Sequence, residues 1–118
     1  MKLLITFFLA TLVASFVAVP SSVAADIDKD LTKRISDILT ECQKIKPGMT
    51  RAELLKVFAT EGGISTAAHR TFVYRGCPYV KVDVEFTLSE PKQNVLEERP
   101  TDTISHLSKP YLEWSIND

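Results

Sequence analysis

The sequence predicts an α+β fold in which two N-terminal helices pack on one face of a three-stranded antiparallel sheet. Three observations carry this expectation. Ile27, Leu31, Ile35, Ile38, Leu39, Cys42 and Ile45 recur at helical spacing. The stretch from Thr50 to Leu54 carries the residues that start a helix. Val80, Val82, Val84, Phe86 and Leu88 alternate with Lys81, Asp83, Glu85 and Thr87, the pattern of a half-buried strand.

Residues 1–25 read as a secretory leader. Lys2 gives the positive start, Leu3–Val19 is apolar apart from Thr6, Thr11 and Ser15, and Pro20 leads into Ser-Ser-Val-Ala-Ala. Cleavage is expected after Ala25 or Ala24. A retained membrane anchor is the alternative, and the small-residue tail favours cleavage. No cysteine lies near the cleavage point to carry a lipid. Residues 26–118 are then one small domain, periplasmic or secreted, that meets the membrane only through the leader before cleavage. Losing Lys2 moves the net charge from −1 to −2. Acidic and basic residues are interspersed, so the cationic stripe that nucleic acid requires is missing.

The first helix should run from about Asp28 to Lys44, with acidic residues at its start and Pro47-Gly48 stopping it. Thr50 and Glu53 form a capping box, and Met49 and Leu54 a hydrophobic staple, so the second helix starts there and should end at Gly62-Gly63. A hairpin follows. A connection through Gly76-Cys77-Pro78 sets Tyr74 opposite Val80 and Phe72 opposite Val82, keeping the apolar side chains on one face. Residues 89–102 are polar and proline-bearing and should form a long mobile loop. Ile104, His106, Ser108, Leu112, Trp114 and Ile116 alternate, predicting a third strand bent or split at Pro110.

Cys42 and Cys77 are the only cysteines, and export makes a disulfide between them the default. Such a bridge would stabilise the fold by roughly 2–4 kcal/mol and requires the hairpin tip to lie beside the end of the first helix. A buried free thiol and an intermolecular bridge are the other possibilities. The short Cys-x-x-Cys spacing of redox-active pairs is missing.

No catalytic, metal or cofactor site is expected. His69 and His106 have no short-spaced acidic or thiol partner for zinc. Asp83 and Glu85 suit a carboxylate pair, but alternating charge is the ordinary dress of a solvated sheet face. Gly62-Gly63 follows a helix, whereas a phosphate cradle opens one. One surface is a candidate for binding a partner. Val73, Arg75, Tyr79 and Lys81 should project from the outer face of the hairpin, with Tyr111 beside them on the last strand.

Ile45, Gly48, Met49, Thr50, Glu53 and Leu54 match the start of the second helix in the SmpA/OmlA-like (outer-membrane assembly factor E) and β-lactamase-inhibitor-protein-like superfamily, which the chain resembles. It is also similar to small exported bacterial proteins without an assigned function. The resemblance implies two helices on an antiparallel sheet of three or four strands, and a noncatalytic role in the envelope or as an inhibitor. The assembly factors are lipoproteins, and here the acylated cysteine is missing. The expected function is an exported, noncatalytic protein-binding module whose partner is an envelope or secreted protein. A structural envelope protein with an intermolecular disulfide is the alternative, and a small hydrolase stands third.

Overall fold

The computed structural model describes residues 26–116, so the leader expected over residues 1–25 lies outside the described residues. Helix α1 spans Lys29–Gln43, and the Asp28 carboxylate accepts the amide hydrogen of Leu31 at 2.9 Å as its cap. Within α1 only Cys42 is buried, while Ile38 and Cys42 reach the core. Gly48, at φ +92°, turns the chain back, a conformation that a side chain would disfavour. Helix α2, Arg51–Val57, then opens on the expected capping box. Thr50 accepts the Glu53 amide hydrogen at 3.3 Å, and the Thr50 amide donates to Glu53 at 2.8 Å. A cap of this kind contributes about 1 kcal/mol.

Five strands follow rather than three. They are β1 Phe58–Thr60, β2 His69–Tyr74, β3 Cys77–Thr87, β4 Thr103–Leu107 and β5 Tyr111–Leu112. The first four form an antiparallel meander in sequence order, and β5 pairs with β3. Two local causes explain the extra strands. The second helix stops at Val57 because Phe58 turns to extended backbone, and Phe58, Ala59 and Thr60 pair with Tyr74, Val73 and Phe72. The last strand splits around Pro110. Its first part pairs with the Val84–Thr87 end of β3 and its second with Val80 and Lys81.

The helices do not form the expected layer over one sheet face. Helix α2 has 7 residues and runs straight into β1, and α1 leaves most of its apolar stripe exposed. The core lies between the end of α1, Leu54 of α2 and one face of the sheet. It contains Cys42, Ile45, Leu54, Phe58, Phe72, Val82, Val84, Phe86 and Ile104, with Phe72 and Phe86 edge to face at 5.9 Å.

The strand registers depart from strict alternation twice. Phe72 does sit opposite Val82, but Tyr74 pairs with Cys77 across the two-residue turn Arg75-Gly76, leaving a bulge before Lys81. A second bulge shifts β4, so that Leu107 and Ile104 face the core and His106 faces outward beside Glu85.

Residues 89–102 are not the mobile loop expected, because they wind around a buried carboxylate. Asp102 is fully buried and accepts hydrogen bonds from the Ser89 amide at 2.9 Å, the Arg99 amide at 2.9 Å, the Gln93 side chain at 3.2 Å and Arg51 at 3.1 Å. Arg51, the first residue of α2, is itself buried. Its guanidinium lies 3.7 Å from the centre of the Phe86 ring and also donates to the Ala67 carbonyl, with Glu98 at 3.9 Å adding negative charge. The backbone completes the knot. The Arg51 amide donates to Asp102 at 2.8 Å, the Ala52 amide to Pro100 at 3.1 Å and the Gly48 amide to Ile104 at 2.8 Å. The free amides of a helix start are thereby satisfied by the chain leading into β4.

Burial pushes the Asp102 carboxyl up. The Arg99 and Ser89 amides, Gln93 and Arg51 pull it down further, from 3.8 to about 2. Because the folded value lies below the unfolded one, the stabilisation is present above the unfolded value and is lost as acid titrates toward the folded one. Urea unfolding should therefore lose about 2 kcal/mol as pH falls from about 4 to about 2, and Asp102→Asn should flatten that part of the profile. An unchanged profile in the variant would count against this role.

Candidate interaction surface

The five residues of the predicted outer patch do not act together. Lys81 is fully buried, not exposed. After β5 the chain leaves the sheet and crosses its outer face, so that Lys81 pairs with buried Glu61, meets Glu113 at 3.3 Å and donates to the Trp114 carbonyl at 2.7 Å. The Ile116 amide donates to Glu61 at 3.3 Å and closes the strap. Burial alone would lower the Lys81 pKa, but Glu61 and Glu113 hold it above its ordinary value. A lysine at this depth is kept charged by its partners, which is a structural duty.

The other four residues divide. Val73 is half-buried opposite Lys81 in the β2–β3 ladder. Arg75 is exposed but committed, donating twice to the Leu55 carbonyl at 2.8 Å and 2.6 Å in the last turn of α2. Tyr111 is half-buried and donates to Asp83 at 3.0 Å, and burial followed by the Asp83 charge raises its pKa. Tyr79 alone remains free to meet a partner. It stands edge to face with Trp114, the ring centres 5.9 Å apart.

Trp114 and Leu112 were expected to face inward, yet they are 83% and 77% exposed. The two-residue β5 is too short to carry the alternation beyond Leu112, and the strap over Lys81 turns Trp114 outward. Tyr79, Leu112, Glu113 and Trp114 line an open depression of about 460 Å³. A second, smaller groove of about 170 Å³ lies between α1 and the sheet, where Ile35, Ile38 and Leu39 face Val80, Pro110 and Leu112. Leu112 lines both hollows.

Asp83 is occupied by the hydroxyls of Thr71 at 2.6 Å and Tyr111 at 3.0 Å. Glu85, which sequence reasoning paired with Asp83, is flanked instead by His69 and His106 in the ladders of β2 and β4. That row became visible only once the strand registers were known. Among the described residues no group of histidine, cysteine and carboxylate side chains could hold a metal ion. No helix among them is long and apolar enough to cross a membrane.

Cys42 and Cys77 both carry free thiols, unlike the bridge expected of them. Cys42 lines a groove with Val82 and Leu107, and Cys77, at the start of β3, packs against the rim of the core that contains Cys42. Burial, helped by the Glu41 charge, raises the Cys42 pKa and keeps it a thiol.

No family model, curated protein or solved structure matches the chain. Iodoacetamide at mildly alkaline pH should modify half-buried Cys77 well before buried Cys42, followed by peptide mass spectrometry. Equal rates, or an intact mass lighter by the hydrogens of both thiols, would contradict this arrangement.

Proposed function

We propose that the chain is a noncatalytic protein-binding module of the bacterial envelope or secreted space, exported by a cleaved leader. The exposed shelf of Tyr79, Leu112 and Trp114 carries this reading. Large aromatic side chains without a buried duty are the residues on which protein interfaces concentrate their binding energy. The resemblance of Ile45–Leu54 to the assembly-factor and inhibitor superfamily supports a role that needs no catalysis. Asp83, tied to two hydroxyls, is poorly placed to move protons.

Affinity capture from the envelope and secreted fractions tests the proposal. The parent protein should enrich a partner that the Tyr79→Ala/Trp114→Ala double variant loses, with both proteins melting at similar temperatures. Recovery of the same partner by both would remove the shelf from the account.

A further inference from the structure

We infer that the shelf receives an arginine side chain of the protein it binds, the guanidinium resting on the Tyr79 and Trp114 rings and Glu113 supplying the opposite charge. The inference rests on the shelf being the interaction surface and adds the chemistry of what sits there.

Strand pairing brings the rings and the carboxylate together. In the ladder of β3 and β5 Lys81 pairs with Tyr111 and Val80 with Leu112, and the Glu113 amide donates to the Tyr79 carbonyl at 3.0 Å. Glu113 therefore stands opposite Tyr79, on the face that both share with Lys81. The next residue, Trp114, has its carbonyl tied to Lys81 at 2.7 Å and its ring at 84° to that of Tyr79. Two ring faces at nearly a right angle form a corner, and Glu113 and Leu112 line the same depression. Strand pairing and the strap over Lys81 hold the backbone of all four residues, so the corner needs little reordering to bind.

The charge at the corner is negative and is not neutralised from within. Lys81 meets Glu61 and Glu113, two carboxylates against one ammonium. Glu61 is buried and also accepts the Ile116 amide hydrogen, whereas Glu113 keeps 60% of its side chain exposed. The Lys81 ammonium donates to Glu113 Oε2 at 3.3 Å, and among the described residues no group donates to Oε1. Asp83 and Glu85 follow Lys81 on the same face of β3, where Asp83 is held by hydroxyls and not by a cation. The field over the shelf therefore favours a positive group.

Other occupants suit this corner less well. An apolar side chain or acyl chain would cover the Glu113 carboxylate without replacing the water it loses. A phosphate or carboxylate would meet like charge. A cation, in contrast, is attracted to the negative faces of both rings. Arginine suits the corner better than lysine, because its planar, weakly hydrated guanidinium lies flat on one ring while an edge N–H reaches a carboxylate. Its aliphatic stem can run along Leu112, which is 77% exposed.

Trp114 is the single tryptophan of the chain, so its indole N–H gives one NMR signal that reports on the shelf. The test titrates the protein, as the cell exports it, with acetyl-Gly-Arg-Gly-amide and with the same peptide carrying citrulline, which keeps the shape of arginine without its charge. We expect a saturable shift with the arginine peptide, about threefold or more weaker binding of the citrulline peptide, and weakening of the first by salt. Glu113→Gln and Tyr79→Leu should each weaken the arginine peptide about two- to fivefold, and Glu113→Gln should leave the citrulline peptide unaffected. Lys81 keeps Glu61 in the Glu113→Gln variant, so the strap stays anchored. Equal binding of the two peptides by the parent protein, a comparison that needs no variant, would overturn the inference. The absence of any shift, or a stronger response to a proline-rich peptide, would overturn it equally. Affinity capture separates this inference from the reading beneath it. A partner that needs the shelf but ignores Glu113→Gln would remove the arginine and leave the protein-binding module standing.

Discussion

The contact between Arg51 and Asp102 organises more of this protein than any apolar cluster does. Both side chains are buried, and taking two charges out of water carries a cost that only close partners offset. Here the partners come from four places. The start of α2 provides the guanidinium, β3 provides the Phe86 ring, residues 89–99 provide two amides and the Gln93 side chain, and residue 67 provides a carbonyl. None of these segments could move without stranding a charge. The constraint turns a polar 14-residue connection into an ordered part of the fold, and it fixes where α2 begins against β4.

A second buried pair does similar work on the other face of the sheet. Lys81 and Glu61 are sealed beneath Glu113, Trp114 and Ile116, so the strap that ends the described chain is held by charge together with the hydrogen bond that the Glu113 amide donates to the Tyr79 carbonyl at 3.0 Å. The strap has a consequence for recognition. Holding the backbone of Trp114 against Lys81 leaves the indole outside, beside Tyr79 and Leu112. The exposed aromatic shelf follows from the buried lysine.

Local rules were legible in the sequence where neighbours in the chain satisfy one another. The Asp28 and Thr50 caps, the turn at Gly48, the valine alternation of β3 and the division at Pro110 all depend on residues a few positions apart. Long-range charge partners were not legible. Lys81 sits in a clean apolar–polar alternation that marks it as solvent-facing, and nothing near it in sequence announces Glu61 or the returning strap. Asp102 likewise reads as a loop residue until Arg51 and Ser89 are placed around it. The two bulges, each worth a shift of register, hid the outward turn of His106 and the pairing of Tyr74 with Cys77. Val57, Phe58 and Thr60 did hold a signal for β1, since β-branched and aromatic residues there favour extended backbone over a longer helix.

A double-mutant cycle on Arg51 and Asp102 asks most directly whether their pairing is the organising contact. Arg51→Met and Asp102→Leu alone each strand a buried charge and should cost about 3–5 kcal/mol. The double variant should cost markedly less than the two together, with a coupling of about 2 kcal/mol or more in urea unfolding. Losses that simply add, within about 0.5 kcal/mol, would mean the two charges act independently and that the fold is organised by something else.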